Sequence, residues 1–100
     1  MGITGRQIKQ LRGLANYLEP TVTIGKADVV DSVVNFADNT LEAHELIKGS
    51  VLGNSGLDTR EAAIALSRVT HSALVQVIGH KFVLYRPSKR DDIEHIELVK

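Results

Sequence analysis

A lysine in a glycine-containing turn is the part of this sequence whose chemistry is easiest to interpret. Residues 21–24 alternate polar and apolar side chains as a β-strand does, and the Gly-Lys-Ala-Asp stretch at 25–28 interrupts the alternation before a helical pattern begins. A strand that enters a helix through such a turn directs backbone N–H groups toward whatever lies above the turn. Lys26 would add a positive charge beside those groups. The turn is therefore suited to bind a phosphate.

The other reactive side chains lack the spacing that catalysis or metal binding requires. The four histidines form no HxxxH or comparable pair, which argues against a zinc site. The Gly25 turn has neither the further glycines of a dinucleotide-binding loop nor the Lys-Ser/Thr pair of a P-loop. Asp91 and Asp92 fit a solvated tail better than an acid–base pair. We therefore expect no catalytic residue, metal, cofactor or small-molecule substrate, and we predict that the protein is not an enzyme.

The composition indicates a single globular domain. The chain has 100 residues, of which 43% are apolar, and it has no cysteine, so disulfides are excluded. It contains neither the basic start and apolar run of a signal peptide nor an apolar stretch long enough to cross a bilayer. We therefore expect a soluble, cytoplasmic protein that does not act at a membrane.

Positive and negative charges balance in number but not in position. The chain has 12 basic and 12 acidic residues. Residues 1–12 and 81–90 contain bases and no acids, whereas residues 27–45 contain acids and no bases. This separation predicts a protein with one basic side. The candidate phosphate contacts besides the turn are Arg6, Lys9, Arg12, Lys48 and Arg86, with Lys81, Lys89 and Arg90 as weaker candidates.

Two amphipathic helices are predicted on either side of the first strand. The first spans residues 4–18, with Thr4 as its N-cap and Pro20 beyond its end. The second follows the turn, where Asp28 is a suitable N-cap. Each has one apolar face, and the basic residues of the first helix lie on roughly the opposite side. The apolar positions are Ile8, Leu11, Leu14, Ala15 and Leu18, followed by Val29, Val30, Val33, Val34, Ala37 and Leu41.

The second half of the chain predicts a strand, a helix and a hairpin. The strand covers residues 45–52 and contains Gly49, which weakens a strand or marks a bulge. Asp58 and Glu61 have the spacing of a capping box for a helix that runs to about residue 70. Residues 74–78 and 81–86 are two apolar runs around Gly79-His80, as in a hairpin with a type II′ turn. The predicted buried positions of the third helix are Ala62, Ala65, Leu66 and Val69.

The predicted order of elements is α-β-α-β-α-β-β. Right-handed crossovers would make the first three strands parallel, and the hairpin would add an antiparallel fourth. Polar residues interrupt the strands, so we expect an α/β protein of the α+β two-layer type, with a four-stranded mixed sheet and helices mainly on one face. Residues 1–90 form the predicted domain and residues 91–100 a polar C-terminal tail.

Four segments together resemble the CRM domain family, named for chloroplast RNA splicing and ribosome maturation, in its single-domain bacterial YhbY-type form. The segments are Leu-Arg-Gly-Leu-Ala at 11–15, Ile-Gly-Lys at 24–26, His-Glu-Leu-Ile-Lys at 44–48, and Leu-Val-Gln-Val-Ile-Gly with Val-Leu-Tyr-Arg-Pro at 74–79 and 83–87. The resemblance covers about residues 3–90. It implies a fold similar to the C-terminal domain of bacterial translation initiation factor three. It also implies an RNA-binding assembly factor of the large ribosomal subunit.

The resemblance places an RNA-contacting Gly-x-x-Gly loop on Gly25, Lys26, Ala27 and Asp28. Asp28 departs from that motif, since its carboxylate would repel a phosphate and occupy the N–H groups that bind one, although aspartate can adopt left-handed backbone geometry. Gly49 is a second departure, because the family more often has a β-branched residue there.

Two functions therefore remain open. The first is binding of structured ribosomal RNA or of a precursor of the large (50S) subunit, through the turn and the basic residues. The second is a protein-interaction module on the same fold with weakened RNA binding, whose surface would be the acidic outer face of the second helix at Asp31, Asp38 and Glu42. The oligomeric state is open, with a monomer favoured.

Overall fold

Three helices and four strands follow one another in the predicted order in a computed structural model that describes residues 2–100. The elements are α1 (Gly5–Ala15), β1 (Pro20–Ile24), α2 (Asp31–His44), β2 (Leu46–Val51), α3 (Thr59–Val69), β3 (Ala73–Ile78) and β4 (Lys81–Tyr85). Local capping signals account for the starts of α1 and α3. Thr4 caps α1 through a reciprocal pair of hydrogen bonds with Gln7, and the Asp58 side chain accepts a hydrogen bond from the Glu61 N–H at the start of α3.

The four strands form one mixed sheet in the order β1-β2-β4-β3. β1 and β2 are parallel, and β4 is antiparallel to both of its neighbours. The first three strands therefore run in the same direction, as predicted, and the antiparallel strand lies inside the sheet. Gly79, with φ of 56°, and His80 connect β3 to β4, which matches the predicted type II′ turn.

The helices divide between the two faces of the sheet. α2 and α3 bury one face with a cluster that includes Leu41, Leu66 and Phe82. α1 covers the other face, where Leu11 and Ala15 pack against side chains of β2, β3 and β4. Two of the three helices thus share one face, and the α1 side carries its own smaller core.

Three details of the helices differ from the sequence prediction. α2 begins at Asp31, and its N-cap is Val30, so the predicted N-cap Asp28 lies outside the helix. α1 ends at Ala15 rather than residue 18. Leu14, Ala65 and Val69 are exposed, whereas Ala63, Ser67 and Thr70 are buried. Because α3 contacts both β3 and β4, its orientation on the sheet decides which flank of the helix is buried. The spacing of apolar residues along the helix does not indicate that orientation.

Gly49 is required by packing and does not mark a bulge. It lies directly opposite Phe82 in the β2–β4 ladder, where the register is continuous. A Cβ atom at this position would lie 2.3 Å from Cζ of the Phe82 ring. The irregularities of the sheet lie elsewhere, in β1 between Pro20 and Val22 and in β3 between Leu74 and Gln76. The sheet therefore accommodates a buried phenylalanine only because residue 49 has no side chain.

The last residues of the chain pack on the α1 side of the sheet, which differs from the predicted polar tail. We call residues 88–99 the C-terminal strap. Its Ile96 and Leu98 pack against the cluster beneath α1. Its backbone is also tied to α1, since the Gln7 and Gln10 side-chain amides donate to the Val99 and Glu97 carbonyls at 2.8 Å each. The Val99 N–H in turn donates to the Gln10 Oε1 at 2.9 Å.

A buried carboxylate holds the start and middle of the strap. Glu45 is 1% exposed and accepts hydrogen bonds from the Ser88 N–H at 2.6 Å, the Ile96 N–H at 2.7 Å and His95 Nδ1 at 2.9 Å. Burial opposes ionisation of this carboxyl, but the hydrogen bonds outweigh it and lower the pKa of Glu45. The same contact, chiefly the hydrogen bond to Glu45, raises the pKa of His95 above 6.5.

These two shifts predict a pH window for the attachment of the strap. The pKa of His95 is raised in the folded state, so its contribution is complete below pH 6.5 and is lost as the pH rises through the folded value. The pKa of Glu45 is lowered, so its contribution is present above pH 4.5 and is lost as the pH falls through the folded value. We expect His95→Gln to lower the melting temperature inside this window and to have little effect at about pH 8.

Thermal denaturation of both proteins across this pH range measures the difference. His80→Gln is a suitable control, because His80 is exposed in the β3–β4 turn and forms no ion pair within residues 2–100. A melting-temperature difference for His95→Gln that is the same at every pH would contradict the ion pair.

Candidate phosphate-binding surface

The turn after β1 contains one left-handed residue, Asp28, and the N–H groups of residues 28–30 are already hydrogen-bonded. The Asp28 N–H donates to the Gly25 carbonyl at 2.9 Å, and Asp28 has φ of 65°. Its carboxylate then accepts the N–H of Val29 at 2.8 Å. Lys26 and Ala27, between the two ends of the turn, are exposed. An incoming phosphate would thus meet an exposed lysine but also the Asp28 carboxylate, which already accepts the Val29 N–H.

Two other loops lie at the same end of the strands as the Gly25 turn. The Leu52 N–H, after β2, donates to the carbonyl of Ile24 at 2.9 Å, and a Cβ on Gly25 would touch the Leu52 side chain at 3.4 Å. The Val51 N–H donates to the carbonyl of His80 in the β3–β4 turn at 2.8 Å. The Gly25 turn therefore sits in a cluster of three loops, at the carboxyl ends of the parallel strands.

Five of the predicted basic residues lie on the α1 side of the sheet. Arg6, Lys9 and Arg12 are exposed on α1. On the sheet, Leu46 and Val83 face α1, and side chains two residues apart along a strand share a face, so Lys48 and Lys81 face the same way. α2, which carries the acidic stretch, covers the opposite face. These five bases therefore share the α1 side of the sheet, whereas the acids of α2 lie on the opposite face. Glu97 of the strap, which is bonded to Gln10, also lies on the α1 side.

Lys48 and Lys81 also share a cleft near the carboxyl end of α1. The cleft has a volume of about 200 Å³, and its other polar lining residues are Asn16 and Gln76. Tyr17, which follows Asn16, is 89% exposed. The charge pattern of the sequence predicts no ligand contact at Asn16, Gln76 or Tyr17, because these three residues are uncharged. The one available signal is the spacing of Lys9, Arg12 and Asn16, which places them on one flank of α1.

Arg86 belongs to an internal ion-pair network, and we withdraw it as a phosphate contact. Its guanidinium donates to Asp38 Oδ1 at 2.6 Å, the Thr70 carbonyl at 2.7 Å, the Asp38 carbonyl at 3.1 Å and Glu42 Oε1 at 3.1 Å. Only 16% of the Arg86 side chain is exposed. The pKa of Glu42 is lowered by the Lys89 N–H, which contributes most, and by Arg86. Arg86 thus ties the end of β4 to the ends of α2 and α3.

Lys89 and Arg90 lie away from the turn as well. Tyr85, at the end of β4, pairs with Leu46 at the start of β2. The residues that follow β4 therefore leave the sheet at the end of the strands opposite the Gly25 turn. Arg90 is paired with Asp92 through two hydrogen bonds of 2.9 and 2.6 Å. Neither residue joins the basic group on the α1 side.

Residues 2–100 contain no group of three or more histidine or acidic side chains arranged to hold a metal ion. Within the same residues, no helix has the length and apolar character needed to cross a bilayer.

Comparisons with known proteins agree on one family. Residues 3–86 match the model of the family described as the CRS1 / YhbY (CRM) domain. The chain is 43% identical over 96 residues to YqeI of Bacillus subtilis (strain 168), which is named a probable RNA-binding protein, and the match covers 96% of this chain and 98% of YqeI. It is 40% identical over 93 residues to a Haemophilus influenzae protein named RNA-binding protein, with coverages of 92% and 93%.

A solved structure shows the same fold. The solution structure of a Staphylococcus aureus protein described as a candidate for RNA binding matches this one with a TM-score of 0.76 at 44% sequence identity. The match covers 95% of this chain and all of that one.

Proposed function

This chain belongs to the CRS1 / YhbY (CRM) domain family, and we propose that it binds structured ribosomal RNA as an assembly factor of the large ribosomal subunit. The observation that carries the proposal is the position of Arg6, Lys9, Arg12, Lys48 and Lys81 on one side of the sheet, away from the acids of α2. The relatives named for RNA binding support the same class of ligand. The proposal includes a cytoplasmic location, where such subunits are assembled, and assigns no catalytic step.

The proposed mechanism is capture of the RNA backbone by charge. Lys26 would bind one phosphate at the Gly25 turn, assisted by the N–H groups of the first turn of α2, which receive no side-chain cap within residues 2–100. The basic residues of α1 and of the sheet would bind neighbouring phosphates along the strand. Contacts to phosphates fix the position of a protein on RNA but carry little sequence information. Recognition would therefore depend mainly on the shape of the RNA.

Asp28 sets the strength of this site in our proposal. Its carboxylate accepts the Val29 N–H at 2.8 Å and places a negative charge beside the position of the phosphate. Removal of that carboxylate would free the N–H and end the repulsion. Glycine also adopts φ of 65° more readily than aspartate does, so Asp28→Gly should not strain the turn.

The alternative function, a protein-interaction surface on α2, loses support from the ion pairs. Asp38 and Glu42 are two of the three acids predicted for that surface, and both are bound to Arg86. Charges already paired within the protein are poor anchors for a basic partner, because binding would have to break the internal pair first.

RNA affinity measured over a salt series tests the proposal. We expect the wild-type protein to bind a structured fragment of large-subunit ribosomal RNA with an affinity that falls steeply as salt increases. Lys26→Ala should weaken binding, reduce the slope of log K against log salt by about 0.9, and leave the melting temperature unchanged. Asp28→Gly should strengthen binding.

Lys89→Ala is the matched control, because it removes the same charge at the opposite end of the strands. It should change affinity less than Lys26→Ala does. Binding that is independent of salt, or equal losses in the two lysine variants, would contradict phosphate capture at the turn. Co-sedimentation of the protein with precursors of the large subunit tests the assembly role separately.

A further inference from the structure

The cleft beneath the end of α1 contains polar side chains that the fold does not use. Its lining includes Asn16, Lys48, Gln76, Ile78 and Lys81. Within residues 2–100, none of the four polar side chains in this group takes part in a hydrogen bond or an ion pair with the rest of the protein, in contrast to Gln7 and Gln10 on the other flank of α1. Unused amides in a concave site are available to a ligand.

The register of the strands places the two lysines close together. Lys48 is opposite Val83, and Lys81 is two residues before Val83, so the two lysines are diagonal neighbours on one face, with Cα atoms about 7–8 Å apart. None of the residues that line the cleft is acidic. Two ammonium groups that line one cleft repel each other, and a bound anion would relieve the repulsion. The charge of the cleft therefore favours an anionic ligand.

The remaining lining suits a flat heterocycle. Gln76 pairs with Val83 and therefore faces the α1 side, with Val83 between it and Lys48, which pairs with Val83 from the other side. Ile78 is 63% exposed and provides an apolar surface at the end of β3. Asn16 closes the cleft from the end of α1. Carboxamides form paired hydrogen bonds with the edge of adenine, and apolar side chains contact its ring.

We propose that this cleft binds one unpaired base of the RNA, with Asn16 and Gln76 on the base edge, Ile78 against its ring, and Lys48 and Lys81 on the flanking phosphates. The inference rests on the proposed RNA-binding function and adds the kind of RNA that is preferred. A cleft of about 200 Å³ is of a size suited to a single base. The preferred RNA is therefore a helix with a bulged or otherwise unpaired nucleotide, whose backbone lies on the basic side.

Two RNA hairpins that differ by one nucleotide test this proposal. One hairpin is fully paired, and the other carries one bulged adenosine in the same stem. We expect the wild-type protein to bind the bulged hairpin about tenfold more tightly. The double variant Asn16→Ala/Gln76→Ala should lose that preference while it still binds the paired hairpin as the wild type does. In the wild type, the backbone amide NMR signals of Gln76 and Lys81 should shift more with the bulged hairpin than with the paired one.

The matched control is Asn39→Ala/Asn54→Ala, which removes two exposed amides outside the cleft and should keep the preference. Lys26→Ala should weaken binding of both hairpins by the same factor. If the wild type binds both hairpins equally, or if the cleft variant folds and keeps the preference, the base site is wrong and RNA binding stands. If neither hairpin is bound at any salt concentration, RNA binding itself is wrong, and the base site fails with it.

Discussion

Gly49→Val is expected to destabilise the domain by about 3 kcal/mol or more, which would lower its melting temperature by about 12 °C at least. The reason is the Phe82 ring, which is 1% exposed and directly opposite residue 49 in the ladder. Any Cβ at position 49 would lie within 3 Å of three atoms of the ring, so even Gly49→Ala should cost a large part of this energy. Thermal or urea denaturation of the purified variants measures the effect.

A smaller side chain at position 82 should restore part of the loss. Phe82→Leu alone leaves a cavity in the core and should destabilise. In Gly49→Ala/Phe82→Leu the new methyl group enters the vacated space, so the double variant should be more stable than the sum of the two single changes predicts. Gly53→Ala is the control, since a Cβ there meets no atom closer than 3.8 Å. Additive effects in the double variant would show that the ring is not the obstacle.

This pair gives a physical reason for glycine at position 49, because the ring of the opposite strand fills the space that a side chain would take. Gly49 lies between Lys48 and Ser50 in β2, and Ser50 pairs with Lys81 in β4. Loss of the pairing would therefore disturb the position of Lys48 as well as the core.

Glu45→Ala is expected to release the C-terminal strap and to cost about 3 kcal/mol. The substitution removes the acceptor of the Ser88 and Ile96 N–H groups, and it also removes the partner of His95. Both N–H groups are part-buried and donate to a charged acceptor, and hydrogen bonds to charged groups contribute more than neutral ones. The melting temperature should fall, and amide hydrogen exchange at Ile96 and Val99 should become faster.

Glu94→Ala is the matched control, because Glu94 is an exposed acid in the same segment and its loss changes the charge equally. It should leave both the melting temperature and the exchange rates nearly unchanged. RNA binding should survive Glu45→Ala below its melting temperature, because the strap lies on the flank of α1 that carries Gln7 and Gln10, away from Asn16. Unchanged protection of Ile96 in Glu45→Ala would show that apolar packing alone holds the strap.

The parts of the fold that follow from local patterns could be predicted. Thr4 and Asp58 cap their helices as their spacing indicates, and the Gly79-His80 pair forms the hairpin turn, because each of these features depends on residues within a few positions. The left-handed geometry that aspartate tolerates is found at Asp28, although the prediction that Asp28 caps α2 was wrong. The burial pattern of α3 and the role of Gly49 could not be read in this way, since both depend on which side chains of another element lie opposite.

The same distinction separates the site residues. The sequence by itself determined the order of elements, the separation of charge and the turn around Lys26, since periodicity and composition express them directly. Only the tertiary structure decided that Arg86 is bound to Asp38, 48 residues away, and that Glu45 holds Ile96, 51 residues away. It also brought Asn16 and Gln76 into one cleft with Lys48. Contacts between distant residues arise when the sheet assembles, and the chain carries no local pattern for them.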